Sequence, residues 1–600
     1  MSPKVQLEEV EATLVSESPL KGAEEGIFLI RLDAEPLATY RGGVAGLAPT
    51  SPTVTGDQKL DFNAPASVAY VDYLKAEQAT FVARMEKAIG HEADVRFTYT
   101  NSNNGMAVWL TPEEAARVMK MPGVAFVQPD FERELQTDTG PGWIGAPDIW
   151  GGPDCSAGDT CGEGIIVGII DTGINPSNPS FADIGGDGYD HTNPFGAGNY
   201  VGVCDPGNAG DGETKGYDAS FPCNDKLIGA WGYTSVDASE GANSPIDYDG
   251  HGSHTASTAA GNIVTADVSG PARGSESIDI SGVAPHANII AYAGCCTGSA
   301  LTASIDQAIA DGVDVINYSI GSPSASDVWN DFDTVGFLAA RDAGIFVATS
   351  AGNEGPGAAT VGSPADAPWL TAVGASTHSR TWENEVSFTG GDTALATITG
   401  NGFTDAFGPA SIVYAGDYGD GLCLTPFAAG TFSGEIVVCD RGDIARVDKG
   451  ANVLAGGAGG LILANDEGNA ASINADPHYL PASHITYDDG VALKAWLAGG
   501  TGHMASITAG VYVQDPTRAD IMAGFSSRGE NRAIDIVSPS VVAPGVDTLA
   551  AYDITVTVGQ QTQMKRNFNP AQHQRFIRDQ LMDIGSNARS IFVLRSIHDL

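Results

Sequence analysis

The run Ile165-Ile-Val-Gly-Ile-Ile170 carries no polar side chain, a pattern that suits a strand only when both of its faces are buried. Similar runs recur at Ile289–Tyr292, Val313–Tyr318 and Ile345–Thr349, and a helical pattern over Ala303–Ala310 stands between two of them. Buried strands alternating with helices are βαβ units, so the chain from 143 onward is predicted to form an α/β fold, a parallel sheet flanked by helices. Residues 143–399 form its first part. Residues 400–500 interrupt it with strand Glu435–Cys439, helix Ile444–Leu454, strand Leu461–Ala464 and helix Val491–Leu497, which predicts a small inserted α/β domain. The first style resumes over 501–553.

Six hundred residues exceed what one hydrophobic core can serve. After an acidic leader (1–25), residues 26–31 read as a strand, and Val71, Leu74, Phe81, Met85 and Ile89 lie on one face of a helix over 68–89. Strands at 94–99 and 105–110 follow. Thr111-Pro112-Glu113-Glu114 supplies an N-cap, a first-turn proline and a capping-box glutamate for a helix to about Met121, before a last strand at 123–128. The order β-α-β-β-α-β predicts a ferredoxin-like α+β unit over 26–136, followed by an exposed linker at 137–142.

Asp and Glu outnumber Lys and Arg 74 to 30, a net charge of −44 that repels polyphosphate and anionic lipid and excludes nucleic acid as a partner. No apolar run approaches the length of a membrane span, so no membrane segment is expected. The first residues, Met1-Ser-Pro-Lys with Glu8, Glu9 and Glu11, show neither the basic end nor the apolar stretch of a secretory signal. The eight cysteines include Cys155 near Cys161, Cys204 near Cys223, adjacent Cys295 and Cys296, and Cys423 sixteen positions before Cys439. Short loops between cysteines suit an oxidising, extracellular setting, and no CxxC metal spacing occurs. Composition then breaks at 554: the last 47 residues hold six Lys/Arg, three Asp/Glu and two glycines, an atypical tail with a helical pattern over 570–584.

Asp171-Thr-Gly follows the buried strand at its carboxyl end, the edge of a parallel sheet where ligands sit. His251-Gly-Ser-His254 opens a helix of small residues. Its two histidines lack the acidic third ligand and the His-Glu-x-x-His context of a zinc protease, so no metal is assigned, and His254 is expected to be a packed core histidine. Phe346-Val-Ala-Thr-Ser-Ala-Gly-Asn353 is another strand, ending in a Gly-flanked Asn whose amide can stabilise an oxyanion. Acidic Asp183-Ile-Gly-Gly-Asp-Gly-Tyr-Asp190 has oxygen ligands but no EF-hand spacing and reads as a solvated loop.

Asp171, His251 and Asn353 occur in the order and setting of the subtilisin triad and oxyanion donor, and the chain resembles the subtilases over nearly all of 26–553. The resemblance implies a subtilisin-like serine endopeptidase precursor, a zymogen. Asp171 would orient His251, which would then lie within hydrogen-bonding reach of it. His251 would be the base and Asn353 the oxyanion donor. Ser319-Ile320-Gly321 and Ser350-Ala351-Gly352 would line the substrate channel. The partners implied are protein or peptide substrates and the chain's own inhibitor-like propeptide, residues 26–136. No cofactor is implied, and structural calcium is left open. Gly434–Gly442 and Ala455–Leu463 resemble a protease-associated domain, while Phe525-Ser-Ser-Arg-Gly529 and Val542-Ala-Pro-Gly545 match blocks that precede the nucleophile.

The family's Gly-Thr-Ser-Met run is absent from the 600 residues. Ser586, Ser590 and Ser596 lack its flanking pattern, and Ser526 and Ser527 precede Ala-Pro-Gly, so no serine takes the nucleophile's role and the chain is expected to be inactive. Two other readings share these facts: a peptide-binding pseudoprotease, and the frameshifted or truncated product of a protease gene.

Overall fold

The computed structural model of the protein describes residues 25–130, 134–135, 143–150, 160–210, 214–233, 244–469 and 472–551, with Leu20, Pro141 and Cys155. The helix expected at 570–584 and the serines near it lie outside the described residues.

Eight strands form the central sheet, in the order Val541–Pro544, Thr371–Ser376, Phe346–Ser350, Val315–Tyr318, Ile166–Asp171, Asn288–Ala293, Leu227–Gly232 and Val201–Gly202. Every pairing in it is parallel. Ile166–Asp171 lies inside the sheet and is buried throughout. Successive side chains of a strand point to opposite faces. Val167 and Ile169 accordingly join one core with Ala256, Ala259 and Ala260 of helix His251–Ala260. Ile166 and Ile170 join another with Leu301, Ile305 and Ile309 of helix Gly298–Asp311 and Phe337 of helix Phe332–Asp342.

The N-terminal unit is a four-stranded antiparallel sheet in the order Asp94–Tyr99, Gly105–Leu110, Gly26–Leu32, Val124–Pro129. With helices Pro65–Ile89 and Pro112–Val118 this is the ferredoxin-like arrangement. The Thr111 capping box forms: its Oγ1 accepts from the Glu114 N–H, and the Glu114 carboxylate accepts from the Thr111 N–H. One face of the sheet carries the helices. The other packs Leu29, Tyr99 and Ala107 against Ala300, Ala303 and Phe332 of helices Gly298–Asp311 and Phe332–Asp342. Both oxygens of buried Asp306 accept hydrogen bonds from the turn at Thr100–Ser102.

A second eight-stranded sheet gathers strands from Arg380–Thr389 to Val511–Gln514, outside 400–500 at both ends. Pairing of Ile398–Asn401 with both Arg380–Thr389 and Ala482–Ile485 closes it on itself. A hairpin, Val264–Gly270 with Arg273–Ile280, reaches from the His251 helix toward this sheet, where Arg273 donates to the Gly510 carbonyl at 2.9 Å. The cysteines pair as Cys155–Cys161, Cys204–Cys223, Cys295–Cys296 and Cys423–Cys439. No helix among the described residues is long and apolar enough to cross a membrane.

Candidate functional site

Parallel strands deliver all their carboxyl ends to one edge. Three adjacent ones, Ile166–Asp171, Val315–Tyr318 and Phe346–Ser350, bring Asp171, the segment Ser319–Gly321 and the turn Ser350–Asn353 to that edge. His251 arrives from the first turn of its helix. This approach is close enough that a Cβ on Gly252 would lie 2.2 Å from the Gly173 carbonyl oxygen, so no residue but glycine fits there.

Asp171 Oδ1 lies 2.6 Å from His251 Nδ1. Asp171 is fully buried and His251 is 8% exposed. The same Oδ1 accepts from the Thr172 N–H at 2.8 Å, and Oδ2 accepts from Thr255 Oγ1 at 3.2 Å. A carboxylate facing Nδ1 keeps the ring proton there, so the neutral imidazole turns the lone pair of Nε2 away from Asp171.

The start of the helix is held by Asp247, a residue not singled out from the sequence. Its Oδ1 accepts from Thr172 Oγ1 and from the N–H groups of Asp249 and Gly250, at 2.9, 3.0 and 2.8 Å. Its Oδ2 accepts from the N–H and the hydroxyl of Ser253, at 2.8 and 2.6 Å. The N-cap position is Gly250, without a side-chain cap, and Asp247 stands four residues before the helix, so the sequence carried no capping signal that pointed to it. Burial, with the Asp247 charge, pushes the Asp249 carboxyl up to about 7. Half-buried His254 is pushed down to about 3 by desolvation and by His251, so at neutral pH it is an uncharged packing residue.

Asn353 is half-buried in a turn fastened from behind. Ser527 donates its N–H to the Gly352 carbonyl at 2.9 Å and accepts the Glu354 N–H on its hydroxyl at 3.0 Å. Ser526 Oγ accepts from the Ala375 N–H at 2.9 Å. Both serines are fully buried and hold backbone. Ser350 Oγ donates to the Ile320 carbonyl at 3.2 Å, joining the two candidate channel segments. Ile320–Gly321 in turn pairs antiparallel with Glu134–Leu135, so the trailing end of the N-terminal unit lies along the candidate channel segment as an added strand.

The acidic loop 183–190 does not fit a calcium cage. Asp183 Oδ1 accepts from the Asp225 N–H, Asp187 Oδ2 faces His286 Nε2 at 2.8 Å, and fully buried Lys226 lies close enough for the Asp187 charge to act on it. Among the described residues, only Cys155, Cys161 and His286 cluster as metal ligands would, and those cysteines are joined to each other.

Residues 162–575 match the Subtilase family, and residues 67–136 match Peptidase inhibitor I9. The family match thus runs past the compositional break at 554. The chain is 36% identical over 493 residues to subtilisin-like protease SBT1.7 of Arabidopsis thaliana, covering 78% of this chain and 61% of that protein. It is 35% identical over 487 residues to SBT1.4 of the same plant, covering 77% and 59%. With SBT5.4, also of Arabidopsis thaliana, it shares 33% over 522 residues, covering 81% and 63%. The chain therefore spans about three-fifths of the length of the relatives it matches.

Proposed function

Because the chain belongs to the subtilase family, we propose that it is the precursor of a subtilisin-type serine endopeptidase, with residues 26–136 as its inhibitory propeptide. The observation that carries this reading is the 2.6 Å contact between Asp171 and His251 at the carboxyl edge of a parallel sheet. In the reaction a serine hydroxyl attacks the peptide carbonyl while His251 Nε2 takes its proton. Asp171 holds the ring and stabilises the imidazolium, the Asn353 amide donates to the oxyanion, and His251 returns the proton to the leaving amine. Ser319–Gly321 and Ser350–Gly352 hold the substrate backbone as a neighbouring strand. Pairing of Glu134–Leu135 with Ile320–Gly321 supports an inhibitor that occupies the same edge. Four disulfides favour an extracellular location.

The Gly-Thr-Ser-Met block is missing from these 600 residues, so this chain by itself supplies the base, the orienting carboxylate and the oxyanion donor but not the nucleophile. A labelled fluorophosphonate tests that point, since it reacts with a serine activated by such a base. No label is expected on the purified chain. A label that disappears in His251→Ala would overturn the inactivity, and peptide mapping of that label would identify the serine. The matched relatives are named as proteases, which does not favour a binding-only pseudoprotease.

A further inference from the structure

Between strand Gly26–Leu32 and helix Pro65–Ile89 the chain makes a long excursion over residues 33–64, outside the inhibitor match, which begins at 67. The excursion has a small core of its own. Leu37 and Tyr40 pack with Tyr70, Val71 and Leu74, the Tyr40 and Tyr70 rings stack at 3.7 Å, and Tyr70 Oη donates to the Glu35 carbonyl at 2.7 Å.

Its far end does not return directly to the N-terminal unit. Lys59 Nζ meets Asp314 Oδ1 at 2.7 Å, the Leu60 N–H donates to the Ala343 carbonyl at 3.0 Å, and Ala38 and Leu60 pack into the same catalytic-domain core as Ile309 and Ala340. A Cβ on Gly344 would lie 2.5 Å from the Gln58 carbonyl oxygen, so the catalytic domain is shaped to let this backbone through. Asp314 and Gly344 precede strands Val315–Tyr318 and Phe346–Ser350, and Asp314 Oδ2 accepts from the Ile166 N–H at 2.8 Å. The excursion therefore seats at the amino-terminal edge of the sheet, one strand length, about 15–20 Å, from the edge that carries Asp171.

We infer that residues 33–64 are a second anchor for the propeptide, independent of the cleft. They seat Lys59 and Leu60 on a catalytic-domain surface made by Gly312, whose carbonyl also accepts from Lys59 Nζ, and by Asp314, Ala343 and Gly344. Once the linker near 137–141 is severed, this anchor slows departure of the N-terminal unit beyond the hold of its open sheet face on helices Gly298–Asp311 and Phe332–Asp342, because its contacts at the opposite edge do not involve the cut segment. This rests on residues 26–136 being the inhibitor.

The test is a full-length chain with the recognition sequence of an exogenous sequence-specific protease placed at 137–141. After cutting, release of the N-terminal fragment is followed by size-exclusion chromatography at intervals. The unaltered fragment is expected to stay with the catalytic domain, and Lys59→Ala/Leu60→Ala to leave about 10-fold faster, as loss of a partly buried charged hydrogen bond and a packed side chain implies. Lys75→Ala, on the exposed face of helix Pro65–Ile89, removes the same charge and should leave the rate unchanged. Lys59→Ala alone, at a partly exposed position, keeps the test open if the double variant folds poorly, and should also leave faster. Release of the unaltered fragment as fast as the double variant would overturn the inference. Access of a labelled extended peptide to the cleft is read in parallel. If the fragment stays bound yet the peptide binds freely, the inhibitor reading fails while the anchor stands.

Discussion

Asp247 accepts five hydrogen bonds with one buried carboxylate, and these tie the loop after the Asp171 strand to the first turn of the His251 helix. The 2.6 Å contact between Asp171 and His251 holds only if that turn is fixed, so the geometry of the proposed pair depends on a residue with no hydrogen bond to the ring. Asp247→Ala would leave several buried donors without an acceptor. It is expected to destabilise the protein by about 3 kcal/mol, measured by denaturant unfolding, since each unsatisfied buried group costs about 1–3 kcal/mol. An effect under 0.5 kcal/mol would mean that water replaces the carboxylate. Lys226 poses a similar problem: it is fully buried, and its ammonium donates to the carbonyls of Pro285 and Ala287. Nothing in the sequence distinguishes it from a surface lysine.

At the scale of elements, the closed sheet between 380 and 514 concentrates buried polar groups. Arg446 pairs with Asp476 through two hydrogen bonds of 2.6 and 2.8 Å, and His478 and His484 lie beside them, both almost fully buried. Burial pushes His478 down to about 4, against the pull of Asp476. A histidine whose folded value lies below its unfolded value of about 6.5 favours the folded state above that pH. Its contribution is lost as pH falls from about 6.5 to 4. His478→Asn is therefore expected to flatten the acid limb of the stability curve, the parent losing about 3 kcal/mol more than the variant between pH 7.5 and 4. Asp547, pushed up to about 6 by burial, acts in the opposite direction but is common to both proteins and cancels in the comparison. Parallel acid limbs would show that His478 is solvated. The Cys423–Cys439 bridge closes a loop of 16 residues in the same unit. Replacing both cysteines by serine should cost about 3 kcal/mol by the loop-entropy relation, seen as earlier loss of this unit in urea.

For the whole molecule, the N-terminal unit touches the domain of the central sheet in three places among the described residues: its open sheet face on two helices, its trailing strand at Ile320–Gly321, and the excursion at the opposite edge of the sheet. If no serine completes the site, the chain cannot sever its own linker. The purified protein should then keep its full mass through prolonged incubation. Mass spectrometry showing a fragment that begins near residue 140, formed at a rate independent of protein concentration, would reveal self-cleavage and refute the missing nucleophile.

Periodicity and capping chemistry made much of this architecture legible. A strand without polar side chains must be covered on both faces, and Thr111 with Glu114 carries its capping instruction within four residues. The short cysteine spacings made local bridges the expectation, but which cysteines pair was decided by the tertiary structure. The tertiary structure alone decided what depends on distant chain returning to one place. Arg380–Thr389 has mixed burial and joins its sheet through the nearby strand Ile398–Asn401 on one edge and through Met504–Ile507 and Val511–Gln514, more than a hundred residues on, along the other. Lys59 finds Asp314 across 255 residues, and Asp247 becomes an anchor only when Thr172 arrives beside it. Local pattern records which face of an element must be buried. The identity of the groups that meet there follows from packing, where donors and acceptors distant in sequence satisfy one another once water is excluded.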